Sequence, residues 1–121
     1  MINSILINYK LINELKIHEN LKEDILKCVQ VIVTEGIPVK KIGLFGSCSR
    51  GEATATSDID LVVITTHQTT RVERGLIFDA VNYIDLNTRC DIVFYTDEQL
   101  VSSSRWFEKS IKENVIWIGG I

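Results

Sequence analysis

Apolar positions along this chain follow two periods, and the change from one to the other predicts its elements. Near the N-terminus Ile2, Ile5, Tyr9 and Ile12 recur at helical spacing, which predicts a helix over residues 2–16 ending in a polar break near His18. A second helix starts at Asn20, read as an N-cap with Glu23 three residues on. It carries Leu21, Ile25, Val29 and Ile32 on one face and stops at Gly36, before Pro38. Three runs rich in β-branched and aromatic residues then read as strands: Lys41 to Phe45, Ile59 to Ile64 and Ile92 to Tyr95. Their unbroken apolar character implies burial on both faces.

Between the second and third strands, Thr70 and Glu73 make a capping box for a helix with Val72, Leu76, Ala80 and Ile84 as its apolar stripe. Thr96 with Gln99 repeats the signal. The closing helix breaks around residues 102–104 and resumes through Trp106, Phe107 and Ile111. That spacing favours core packing for the two aromatics, with stacking on a base or contact with a partner as the alternatives. Residues 115–118 add a final edge strand. The fold class is α/β (α+β), a small mixed sheet flanked by helices. With no repeat or linker, residues 1–121 form one domain, its core about 20–118.

Composition narrows the function classes. Thirteen Lys and Arg against 16 Asp and Glu give a net charge of -3, which argues against strong, sequence-independent binding to nucleic acid. No apolar run approaches the roughly 20 residues that span a bilayer, and no signal-type segment opens the chain, so a cytoplasmic protein without membrane contact is expected. The three cysteines fit neither a disulfide framework nor a zinc site, and Cys28 and Cys90 read as small core residues.

Candidate chemistry is concentrated in two segments. Gly46-Ser47 lies where the first strand ends and a short helix begins, so backbone amides and the serine hydroxyl there can face a triphosphate, with Arg50-Gly51 close behind. The plainer reading is a strand-to-helix turn with Ser47 as N-cap and Arg50 as a solvated surface residue. Asp58-x-Asp60 puts two carboxylates on one face of a strand, roughly 6.7 Å apart along it. Asp60 lies inside the strand, ahead of Leu61-Val62-Val63-Ile64, where an unpartnered carboxylate costs several kcal/mol. Asp91 opens the third strand and can lie beside Asp60 if the two strands are neighbours; otherwise it is a strand-end turn residue. Three carboxylates about 4 Å apart repel by roughly 4 kcal/mol per pair at an effective dielectric near 20, and divalent cations relieve that repulsion. A two-metal site for nucleotidyl transfer is one arrangement that uses all three.

At these residues the chain resembles the minimal nucleotidyltransferases of the DNA polymerase β-like superfamily. Gly46-Ser-x-x-Arg50-Gly51 and Ser57-Asp-Ile-Asp-Leu61 are similar in particular to the small antitoxins that accompany HEPN-domain toxins. The resemblance covers residues 41–95 closely and the flanking helices by order and length. It implies that Gly46 and Ser47 grip the triphosphate and that Asp58 and Asp60 bind magnesium, two ions in all. Asp91 becomes the third carboxylate, which helps deprotonate the acceptor, and Arg50 a phosphate contact. It also implies AMP transfer from ATP to a hydroxyl, a tyrosine of the HEPN toxin encoded nearby, as the antitoxin's activity. The alternatives are an antitoxin that neutralises by contact alone, or a small-molecule nucleotidyltransferase completed by a helical subunit or by homodimerisation. Cys48 and Ser49 depart from the family's usual arginine or tyrosine followed by alanine, and leave a reactive-looking thiol in the loop.

Overall fold

A computed structural model describes residues 5–121. In chain order the elements are β1 (Leu6–Ile7), α1 (Tyr9–Glu14), α2 (Glu19–Thr34), β2 (Val39–Phe45), α3 (Ser47–Arg50) and β3 (Ile59–Thr65). These are followed by α4 (Arg71–Tyr83), β4 (Cys90–Thr96), α5 (Asp97–Ser102), α6 (Trp106–Asn114) and β5 (Ile116–Gly120). The strands form one mixed sheet in the order β1-β5-β2-β3-β4, antiparallel throughout except for the parallel pair β3 and β4. This is the α/β architecture expected from the pattern of runs.

Side-chain alternation along the central strands divides the core into two layers. Ile42 and Leu44 of β2 and Ile59, Leu61 and Val63 of β3 face α2 and α4, packing with Leu21, Ile25, Val29, Ile32 and Ile77. The opposite parity, Phe45, Val62 and Ile64, packs with Leu100 of α5 and Ile111 of α6. Asp60 shares the second parity, so it projects on the α6 side of the sheet.

Several local expectations are corrected. Ile2 lies outside the described residues, while Leu6 and Ile7 pair with β5 as a strand; helix begins only at Tyr9, where the Asn8 side chain accepts from the Leu11 amide at 3.0 Å. The cap of α2 is His18 rather than Asn20: its Nδ1 accepts from the Asn20 amide at 3.1 Å. β5 is no edge strand, since it lies between β1 and β2. β4 is the edge instead, so of its seven residues only Ile92 is buried.

Both capping boxes form. Thr70 Oγ1 accepts from the Glu73 amide at 3.1 Å while Glu73 Oε1 accepts from the Thr70 amide at 2.8 Å, and the bond from Thr70 holds the Glu73 carboxyl below its ordinary range. The buried face of α4 is Ile77 and Val81, one step round from the expected stripe, and Val72 and Leu76 face solvent. Thr70→Ala should lower the unfolding free energy by about 1 kcal/mol, the usual worth of such a cap, and urea denaturation reads it directly. Unchanged stability would mean that α4 is held by packing alone. No helix among the described residues is long and apolar enough to cross a membrane.

Candidate active site

β2 ends in a turn that only glycine makes comfortably. Gly46 adopts φ 72° and ψ -151°, and a Cβ there would run into the Asp60 carboxylate, 3.1 Å from its Cγ. The Gly46 carbonyl accepts from the amides of Ser49 and Arg50, both at 3.2 Å, and from Ser49 Oγ at 2.9 Å. Gly46 is therefore the N-cap of α3, which displaces the plainer reading of Ser47 in that role. Ser47 sits in the first turn, and its hydroxyl has no hydrogen-bond partner among the described residues. Cys48 points inward, with Sγ 3.8 Å from the Asp58 carbonyl oxygen. Burial, and then the Asp60 charge, push its thiol up to about 11, so it is neutral at physiological pH rather than reactive.

The sheet brings two of the three aspartates side by side. Phe45, Asp60 and Asp91 occupy one row across β2, β3 and β4, with Phe45 opposite Asp60 and Asp60 opposite Asp91. Asp60 is half-buried. Its carboxyl is raised above the ordinary range, chiefly by burial and then by the negative charges of Asp91 and Asp58, with Arg50 opposing. Asp58 lies two residues before Asp60, exposed, at the end of a loop fixed by the Thr54 amide donating to Ser57 Oγ at 2.7 Å. Among the described residues no three His, Cys, Asp or Glu side chains close into a ready-made metal cage. The donor set is all carboxylate oxygen, with Asp60 carrying an unfavourable charge that a cation would relieve. That chemistry fits a hard divalent ion such as magnesium.

The loops that deliver these residues are tied together by Asp24, which the sequence reading passed over. It is fully buried in α2 and accepts from the amides of Asn87 (2.9 Å) and Thr88 (2.8 Å) and from Asn87 Nδ2 (3.1 Å). Thr88 Oγ1 in turn donates to the Ser57 carbonyl at 2.9 Å. One carboxylate thus sets both the approach to β4, carrying Asp91, and the approach to β3, carrying Asp58. Its signal was its place beside Leu21, Ile25 and Cys28 on the apolar face of α2.

Two arginines also take defined partners. Arg50 Nε donates to Glu52 Oε1 at 2.7 Å, and Arg89 Nε donates to Asp91 Oδ1 at 2.9 Å. Trp106 is 80% exposed and Phe107 partly exposed, against the expectation of core packing. Phe107 meets Phe45 edge-on at 5.9 Å. With Gly46, Arg50, Asp60 and Asp91, these two aromatics bound a cavity of about 360 Å³. The Gly46 turn, the Asp60 and Asp91 carboxylates and an aromatic wall therefore share one cleft, whereas Ser47 and Asp58 do not line it.

A family model described as Nucleotidyltransferase domain matches residues 22–118. A protein of Methanocaldococcus jannaschii, named as an inferred protein adenylyltransferase, is 29% identical to this chain, the match covering 79% of the chain and 93% of that protein. Two solved structures share the fold, each with a TM-score of 0.55. One is a toxin–antitoxin with AMP-PNP, 22% identical over 82% of this chain and 73% of that one. The other is a mutant form of the toxin–antitoxin MntA-HpeT, 23% identical over 83% and 72%.

Proposed function

Because this chain belongs to the nucleotidyltransferase domain family and is a nucleotidyltransferase, we propose that it moves AMP from ATP to a tyrosine hydroxyl of a HEPN toxin encoded nearby, and so acts as the antitoxin. The observation that carries this reading is the pairing of Asp60 with Asp91 on adjacent strands, directly beneath the Gly46 turn. The relative's name, protein adenylyltransferase, and the toxin–antitoxin setting of the fold neighbours support the choice of acceptor.

The roles follow from position. The α3 turn, through its first amides and the Ser47 hydroxyl, receives the triphosphate, and Arg50 offers its guanidinium to the same phosphates. Asp58, Asp60 and Asp91 would hold magnesium. When bound, magnesium supplies charge neutralisation at the phosphates and a lower pKa for the acceptor hydroxyl. The acceptor oxygen bonds to the α-phosphorus as the bond from that phosphorus to the bridging oxygen breaks. Pyrophosphate leaves with the electron pair, and the hydroxyl proton passes to the Asp91 carboxylate.

ATP labelled at the α-phosphate should label the partner, and ATP labelled at the γ-phosphate should not; the reverse pattern would indicate a kinase. Asp91→Asn should slow this transfer more than it weakens nucleotide binding, and an unchanged rate would remove Asp91 from the chemistry. Ser47→Ala should cost about 1 to 3 kcal/mol of AMP-PNP affinity, the worth of one hydrogen bond to a charged group, while leaving catalysis measurable. Equal affinities by calorimetric titration would place the phosphates elsewhere.

A further inference from the structure

Among the described residues no strand pairs with the outer edge of β4, the last strand of the sheet. β4 runs seven residues, contains no Pro or Lys, and keeps an unbroken register with β3, whereas the opposite edge, β1, is only two residues long. Natural edges are normally shortened, charged or bulged to prevent pairing with another chain. The Ile59 amide donates to the Arg89 carbonyl at 2.8 Å, which fixes the parity of the parallel ladder. Backbone groups of Arg89, Asp91, Val93 and Tyr95 turn towards β3, and those of Cys90, Ile92 and Phe94 turn outward.

A cavity of about 840 Å³ borders Arg89, Cys90, Asp91, Ile92 and Val93 in succession. Consecutive strand side chains point to opposite faces, so a space touching all five lies along the edge itself. Its far wall is the C-terminal half of α4, including Phe78 and Asn82. Asp91 borders this groove and also the cleft that holds Gly46, Arg50 and Asp60. Asp91 has the parity of Asp60, so its carboxylate lies on the α6 face with the cleft, and a segment bound along the edge reaches it with the side chains it projects on that face.

We propose that a hydroxyl-bearing segment of the partner protein adds as an extended strand to the outer edge of β4, in the groove against α4, and so reaches Asp91. The assignment of that hydroxyl as the AMP acceptor rests on the function proposed above. The occupant is an extended peptide because the edge offers alternating backbone donors and acceptors, which another strand satisfies in full. Pairing of β4 with β4 of a second copy would fill the route to Asp91 and leave the acceptor none.

The test uses the protein encoded beside this chain as the probe, with AMP-PNP present. Amide exchange measured by NMR should slow at least tenfold at Cys90, Ile92 and Phe94 on complex formation, and much less at Asp91, Val93 and Tyr95, which already bond to β3. Asn82→Arg, an exposed change that fills the groove, and Phe94→Pro, which removes one outward N–H, should each weaken the complex at least tenfold and leave AMP-PNP affinity unchanged. Failure of the neighbour to bind, a complex without that alternating protection, or two variants that bind like wild type would overturn the proposal. So would protection that appears without the neighbour as concentration rises, which means self-pairing. AMP transfer without edge protection sinks the docking mode and leaves the activity standing; edge protection without transfer does the opposite.

Discussion

Replacing Asp60 by asparagine is expected to lower AMP transfer by about 10³-fold or more while leaving the fold intact. Asp60 sits in the row Phe45–Asp60–Asp91, half-buried, with the Gly46 turn against its carboxylate. Its carboxyl is raised by burial and by the charges of Asp91 and Asp58, so the ionised form costs the cation-free fold stability at pH values above the ordinary carboxylate range. Asparagine keeps the shape and removes that charge. The variant should therefore melt at an equal or higher temperature at neutral pH while losing the chemistry. Loss of both stability and activity would point to a structural role for Asp60, and normal transfer would remove it from the site altogether.

Gly46→Ala should nearly inactivate the protein by a different route. The φ of 72° with ψ of -151° is a region that side chains other than glycine's rarely enter, costing about 1 to 3 kcal/mol. The added methyl also runs into the Asp60 carboxylate. Relief requires either Asp60 or the α3 turn to move, and a displacement of about 1 Å at a reacting centre can cost about 10²-fold in rate. Gly51→Ala is the control. Gly51 has a φ of 73°, but nothing lies within 4 Å of the added Cβ, so it should cost about 1 to 2 kcal/mol of stability and leave transfer near wild type. If the two variants lose transfer equally, backbone strain and not the contact with Asp60 explains both.

Much of the fold was legible because its signals are local. The capping boxes at Thr70 and Thr96 and the β-branched runs of β2, β3 and β4 depend on residues close in sequence, and each appears where the pattern put it. What was missed depends on tertiary placement. The apolar run of β4 reads like that of β3, yet strand order leaves one at the edge and the other in the centre. Val72 and Leu76 have helical spacing but lie one step off the face that meets the sheet, so Ile77 and Val81 are buried instead. Trp106 follows the same rule and becomes a wall of the cleft. At the site, the alternation of Asp58 and Asp60 could be read from spacing, whereas the neighbourhood of Asp60 and Asp91 was conditional on a strand order that only the sheet supplies. The ion pairs of Arg50 with Glu52 and Arg89 with Asp91, and the partners that the buried Asp24 takes, are side-chain choices that spacing does not encode.

The central claim is that AMP reaches a partner's hydroxyl, and the mass of that partner tests it most directly. The protein encoded beside this chain is incubated with ATP, magnesium and either the wild type or the Asp58→Asn, Asp60→Asn double variant, then read as an intact protein and by peptide mapping. The expected result is a gain of AMP on a tyrosine with the wild type and none with the double variant, together with loss of toxicity only in the first case. An unmodified neighbour whose toxicity the double variant still suppresses would contradict the account and identify neutralisation by contact.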